Sequence, residues 1–270
     1  MSRRKKPSAR WLLPGIILLI VGAGLAILVL KRDPSDSQRR PANSQQITSS
    51  KASPVAGANK SSADLAATNQ LGSEDKEDRV AVLVTEGNQL LTQGNYEEAA
   101  RKYEQAVAIS PEQEDLHYNL AIALARLGKP EEAKKQYEEA LRIFPDYAEA
   151  HNNLGNLLMN ENKLEEAIGR FREAIKNVPE NGSFHNNLGT AFGRQGKIAE
   201  AIGEFEEAVK QSPNYVEARV NLANAFLTTG RVEEATVQLS EALRLKPDFK
   251  PALQAMQRAR QRQEANKTPK

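Results

Sequence analysis

Four asparagines, Asn119, Asn153, Asn187 and Asn221, follow one another at intervals of 34 residues. A side-chain amide offers both donors and an acceptor, so a row of them on one face suits the main chain of an extended peptide whatever its sequence. More amides crowd the same places: Asn152, Asn156 and Asn160, then Asn186, then Asn224. Three histidines, His117, His151 and His185, keep the same interval. They do not read as a metal site. One repeat apart they would stand at roughly the 10 Å spacing of packed helices, whereas ligand bonds of ~2 Å must converge on one ion. The chain has no cysteine, no Gly-rich phosphate loop and no carboxylate pair with a histidine partner. These residues point to binding rather than catalysis, with no cofactor and no metal.

The amides belong to a larger pattern. Pro111, Pro145, Pro179, Pro213 and Pro247 share the 34-residue step. Tyr103, Tyr137, Phe171, Phe205 and Leu239 lie eight residues before them, with the Ala99 and Ala106 series twelve and five before. A fixed period of this length marks a repeat array. In the unit 148–181, Leu154, Leu158, Ile168, Phe171 and Ile175 are apolar at helical steps. Two helices of about 14 residues joined by a turn fit this, since a helix so short must pack to persist. Small residues, Gly155, Ala167 and Ala174, stand where the axes approach. Gly94, Gly128, Gly196 and Gly230 occupy the turn in four units and Asn162 in the remaining one, as expected where a helix ends with positive φ. Acidic pairs such as Glu131-Glu132 and Glu165-Glu166 open the second helix, where the dipole favours them. Pro130 suits its first position.

This arrangement resembles the tetratricopeptide repeat. Numbering each unit from Val80, Glu114, Ala148, Gly182 and Val216, the family's small residue at position 8 falls on Gly87, Ala121, Gly155, Gly189 and Ala223. Positions 20, 24, 27 and 32 fall on the Ala99, Tyr103, Ala106 and proline series. Position 4, often Trp in the family, is Leu83, His117, His151, His185 and Arg219; the histidines are expected to fill that slot between helices. The resemblance implies an all-α solenoid, a right-handed superhelix of five repeats (80–113, 114–147, 148–181, 182–215 and 216–249), within a domain of residues 79–249. Its concave groove would be lined by positions 2, 5, 6, 9, 12 and 13 of each first helix. The asparagine row is position 6, and it is similar to the row in the repeats of O-linked N-acetylglucosamine transferases, whose catalytic domain is missing here. The implied peptide-binding residues are Asn119, Asn153, Asn187 and Asn221, with Asn156 and Asn224. Arg126 and Arg194, at position 13, are the groove cations suited to an acidic side chain. The cations of the family's carboxylate clamp are absent, with Val84, Asn88, Glu149 and Asn153 at the corresponding positions.

The array has flanks of a different kind. Residues 11–30 carry no charge over twenty positions, enough to span about 30 Å of hydrocarbon as a helix. The apolar core is longer than that of a leader peptide and no Ala-x-Ala follows it. An uncleaved single-pass anchor is expected, with cleavage as the alternative. Five cations in the 1–10 tail face four soon after the span, which favours a cytoplasmic N-terminus and an array in a periplasm or lumen. Gly22 and Ala26 could pair two spans into a homodimer. Residues 31–78, rich in Ser, Ala, Asn and Gln, form a flexible tether, with an end-to-end distance of about 35–40 Å. A capping helix is expected over 250–264, then a disordered tail, 265–270.

Charge follows these divisions. Residues 80–249 hold 18 Lys and Arg against 27 Asp and Glu, while the whole chain is +2. An acidic array repels phosphate backbones, so no nucleic-acid partner is expected. The expected function is that of a membrane-tethered scaffold for a protein or peptide, serving complex assembly, secretion or envelope processes. The alternatives are a docking subunit of a membrane enzyme and a self-associating structural component.

Overall fold

The computed structural model describes residues 73–267, and the side chains of 75–265. The 1–10 tail, the 11–30 span and most of the tether lie outside the described residues. Among those described there are helices and turns and no strand, and no helix is long and apolar enough to cross a membrane. Ten helices make five pairs: α1 (Ser73–Thr92) with α2 (Tyr96–Ile109), α3 (Glu114–Arg126) with α4 (Pro130–Ile143), α5 (Ala148–Asn160) with α6 (Leu164–Asn177), α7 (Gly182–Arg194) with α8 (Ile198–Gln211), and α9 (Val216–Thr228) with α10 (Val232–Leu245). Then α11 (Lys250–Lys267) covers the last pair. Each helix packs on the next, and the first helices α5, α7, α9 and α11 also touch in succession.

Two boundaries differ from expectation. Helix α1 begins at Ser73, inside the expected tether, and α11 runs to Lys267, beyond the expected cap. Both extensions are polar and carry no apolar stripe to announce them.

The turns explain the step of each pair. Gly94, Gly128, Gly196 and Gly230 have φ between 74° and 82°, and Asn162 has 62°. After this left-handed residue the next N–H reaches back five residues, as Lys129 to the Leu124 carbonyl at 3.0 Å and Lys163 to that of Leu158 at 2.9 Å. This satisfies carbonyls that the helix end leaves open. The acidic pairs lie in the first turns of α2, α4, α6 and α10, and Pro130 opens α4. One continuous apolar core runs from Ala99 to Ala259. The alanines at positions 20 and 27 are buried throughout, at 0–1% exposure, so no larger side chain has room there.

Position 4 ties each pair to the turn before it. The Nε2 atoms of His117, His151 and His185 lie 2.8, 2.9 and 3.0 Å from the carbonyls of Pro111, Pro145 and Pro179. Arg219 donates to Pro213 in the same way. All three imidazoles are buried between helices, the slot expected of them. Their second nitrogens meet whatever stands at position 23. His185 Nδ1 meets Glu204 at 2.7 Å. Burial pulls this imidazole towards neutrality, but its bonds to Glu204 and Pro179 outweigh burial and hold its pKa above the ordinary value. His151 has Arg170 there instead, and its Nδ1 is buried without a partner. Burial lowers its pKa, and the Arg170 charge adds to the effect.

Candidate functional site

The four asparagines of position 6 lie half-buried on the face made by the first helices. The structure gives them partners that sequence reading missed. Asn187 donates from Nδ2 to Asn152 Oδ1 at 2.8 Å, and Asn221 likewise to Asn186 Oδ1 at 2.9 Å. Asn153 donates to the Tyr118 hydroxyl at 3.1 Å. Each bond joins position 6 of one repeat to position 5 of the repeat before. The row is therefore first an internal strap between repeats. Its amides are partly spent: Asn153, Asn187 and Asn221 each commit one of two Nδ2 hydrogens, while the Oδ1 atoms of Asn187 and Asn221 accept no bond among the described residues. The exception is Asn119. Its counterpart one repeat back is Val84, and Asn119 makes no hydrogen bond among the described residues.

The two asparagine acceptors of this strap are as buried as core residues. Asn152 is 8% exposed and Asn186 only 1%, and Asn186 passes its own amide hydrogen to the Tyr215 hydroxyl at 3.3 Å. A buried amide must be paired to be tolerated, and these chains of amides meet that need. The adjacent pairs Asn152-Asn153 and Asn186-Asn187 were the available signal.

The remaining site residues divide in the same way. Arg194 reaches back from its Nη1 to the Met159 carbonyl at 2.8 Å, adding a second donor at the end of α5 to the backbone N–H of Asn162. Arg262 of α11 does the same to Leu227. Arg194 is thus a helix-end cap, not an uncommitted groove cation. Asn224 accepts from Arg258 of the capping helix at 3.0 Å. Asn156 and Arg126 have neither hydrogen bond nor ion pair among the described residues. Three of the expected residues, Arg194, Asn221 and Asn224, meet around one cavity of about 290 Å³, with Thr190, Gly193, Ile198, Phe205 and Thr228 among its walls. It opens between α7, α8 and α9. Apolar walls that also carry two amides and a guanidinium are a make-up shared with ligand pockets. Among the described residues no group of His, Cys, Asp and Glu could hold a metal.

Beside this face, position 24 shows how closely the hydroxyls are accounted for. Tyr103 donates to Asn88 Oδ1, at position 9, over 2.7 Å. One repeat on, position 9 is Ile122, and the Tyr137 hydroxyl is buried with no partner. Asn153 lies close to it, but the hydrogen bond that its Nδ2 makes runs to Tyr118. Burial accordingly pushes the Tyr137 pKa far up. In the next two repeats the ring is Phe171 and Phe205, with no hydroxyl to satisfy. Two conservative variants should therefore move in opposite directions. Tyr103→Phe loses a hydrogen bond worth about 1 kcal/mol and leaves Asn88 short of a donor, so its urea midpoint falls. Tyr137→Phe removes an orphaned buried hydroxyl and leaves the midpoint unchanged or raised. Equal losses in both would show that Tyr137 has a partner.

Comparison with known proteins agrees with this geometry. Family models described as tetratricopeptide repeat match residues 118–182 and 194–259, and one described as TPR repeat matches 87–128. No curated protein matches the sequence. Among solved structures, PilF of Pseudomonas aeruginosa is 23% identical with a TM-score of 0.65, over 71% of this chain and 87% of its own. YrrB, described as a TPR protein with an unusual peptide-binding site, is 21% identical with a TM-score of 0.53, over 65% and 90%. MamA of Desulfovibrio magneticus RS-1 is 18% identical with a TM-score of 0.57, over 64% and 98%. At such identities the likeness is one of fold. The helix pairs from α1 to α10 are tetratricopeptide repeats.

Proposed function

We propose that this chain is a non-catalytic scaffold, tethered to a membrane through residues 11–30, which holds a protein or an extended peptide along the face of its first helices. The observation that carries the reading is the half-buried amide row, locked in place by bonds between repeats and continuous with the 290 Å³ cavity. A face held rigid before binding loses little entropy on binding. The bond pattern also refines the mechanism. Asn187 and Asn221 each spend one Nδ2 hydrogen on the strap and present Oδ1 to accept an N–H from the ligand main chain, while Asn119 has its whole amide to offer. Arg194, Asn224 and Phe205 shape the cavity for a side chain. The likeness to a peptide-binding repeat structure supports this reading. The anchor places the N-terminus in the cytoplasm and the array in a periplasm or lumen, where it serves complex assembly, secretion or envelope processes.

The test is a crosslinking pulldown from membranes with the native chain, a variant with alanine at 119, 153, 187 and 221, and a second with alanine at 152 and 186. The second variant breaks two of the same straps but leaves the outward amides in place. We expect a protein partner to be lost from the first variant and kept by the second, with circular dichroism showing both folded. Partners that stay with the first variant would rule out the asparagine face as the binding site.

A further inference from the structure

The junction between the fourth and fifth repeats lacks two long side chains that both neighbouring junctions possess. Position 12, near the end of the first helix, is Met159 in α5 and Leu227 in α9, and both are buried. In α7 it is Gly193. A methyl group added to Gly193 would touch no more than the Ala201 Cβ, at 4.0 Å. Position 13 follows the same division. Arg194 donates back to the Met159 carbonyl, and Arg262 to that of Leu227. Between them stands Thr228, which turns its hydroxyl to the Asn224 carbonyl of its own helix at 2.9 Å.

The 290 Å³ cavity lies at this junction, with Gly193 and Thr228 both in its wall. It opens where the Met or Leu of one helix and the Arg of the next are missing. Its volume is near the lower limit of ligand pockets, about 300 Å³, which suits one side chain rather than a cofactor. Ile198, Ala201, Phe205 and Ala225 supply apolar surface. The polar side chains of the wall already have partners: Thr190 the Asn186 carbonyl, Arg194 that of Met159, Asn221 the Asn186 amide, Asn224 the Arg258 guanidinium, and Thr228 as above. An apolar group can enter with all of these bonds kept. A charged one would lose its water against Ile198 and Phe205.

We infer that this cavity is a socket for a methionine or leucine side chain of the bound segment, which takes the place that Met159 and Leu227 hold in the adjoining repeats. Gly193 is then a specificity-determining residue, since any longer side chain at position 12 would occupy the socket from within. This inference rests on the proposed peptide-binding role of the first-helix face.

The probe is an immobilised library of dodecapeptides, acetylated and amidated so that neither end is charged, presented to the full chain in detergent micelles. We expect enrichment of Met or Leu at one position of the bound peptides. Gly193→Met gives the fourth repeat the residue of the third. It should raise the urea midpoint, because it fills the cavity and removes a glycine from a helix. It should also lower affinity for the Met and Leu peptides by about tenfold or more, the worth of burying such a side chain, and leave peptides without either unchanged. Gly193→Ala adds one methyl into open space, so the fold stays intact and the same affinity falls by a smaller factor. Gly169→Ala, exposed on α6, should alter no peptide's affinity. Binding without a Met or Leu preference, or a preference that survives Gly193→Met, overturns the socket and leaves the groove reading standing. Enrichment of aromatic or acidic residues that is lost in Gly193→Met overturns the assignment of the side chain. A Gly193→Met midpoint below that of the native chain overturns it too, since the cavity would then not accept a methionine side chain. If the library yields no binder, the groove reading fails and the socket with it.

Discussion

Replacing Phe171 with alanine is expected to lower the stability of the array by about 3–5 kcal/mol, the cost of truncating an aromatic in a closed core. The ring is 0% exposed and belongs to the continuous apolar cluster. It lies in the middle repeat, where α6 packs on both α5 and α7. In a linear array each repeat is held by its neighbours, so a defect in the middle weakens coupling on both sides. The signature to look for is therefore double: a large fall in the urea midpoint by circular dichroism, and a broader transition as the two ends begin to unfold apart. Phe171→Leu, which keeps most of the volume, should cost less than about 1.5 kcal/mol. Val237 is 65% exposed on α10, and Val237→Ala supplies the baseline. A Phe171→Ala midpoint close to that baseline would mean that the repeats are not joined by one core.

How much of this was legible depended on whether the signal was periodic. The alanines and the Tyr103 series repeat because every unit solves the same packing problem, and the structure buries them alike, while the prolines recur exposed in the turns between units. The turns were legible for a similar reason: a left-handed residue recurs at one place, and Asn162 is the natural substitute for glycine. The straps were not legible. They join residues 35 apart in a sequence that repeats every 34, because position 6 of one helix lies against position 5 of its neighbour. A period identifies equivalent residues, not touching ones. The reach of Arg194 to Met159 was hidden in the same offset. The start of α1 escaped because residues 73–79 are almost all charged, and a helix without an apolar stripe leaves no period to detect. The proposed membrane attachment rests on the sequence of residues 11–30, outside the described residues, whose long apolar run is a signal of a different sort, read from length rather than from packing.

One substitution, glycine to alanine, should have opposite signs in adjacent helices. In α6, Gly169 is exposed and a methyl group added there meets nothing within 4 Å. Helix propensity alone then decides, and Gly169→Ala should stabilise by about 0.5–1 kcal/mol. In α5, the same methyl on Gly155 would lie 2.6 Å from Phe171 Cε1 and 2.9 Å from Cδ1. The ring has no free volume to retreat into, since it is wholly buried. Overpacking of this kind costs about 1–3 kcal/mol, which exceeds the gain in propensity, so Gly155→Ala should destabilise. The cause can be isolated by changing the ring. With Phe171→Leu in the same chain, the ring atoms Cε1 and Cζ that the methyl strikes are removed, and the loss from Gly155→Ala should shrink or reverse. The two substitutions should then be coupled by about 0.5–3 kcal/mol, as expected for residues in direct contact. Additive losses would place the penalty in the backbone of α5. A Gly155→Ala variant as stable as Gly169→Ala would mean that α5 and α6 can separate enough to admit a methyl group, and that the small residue at position 8 does not set their distance.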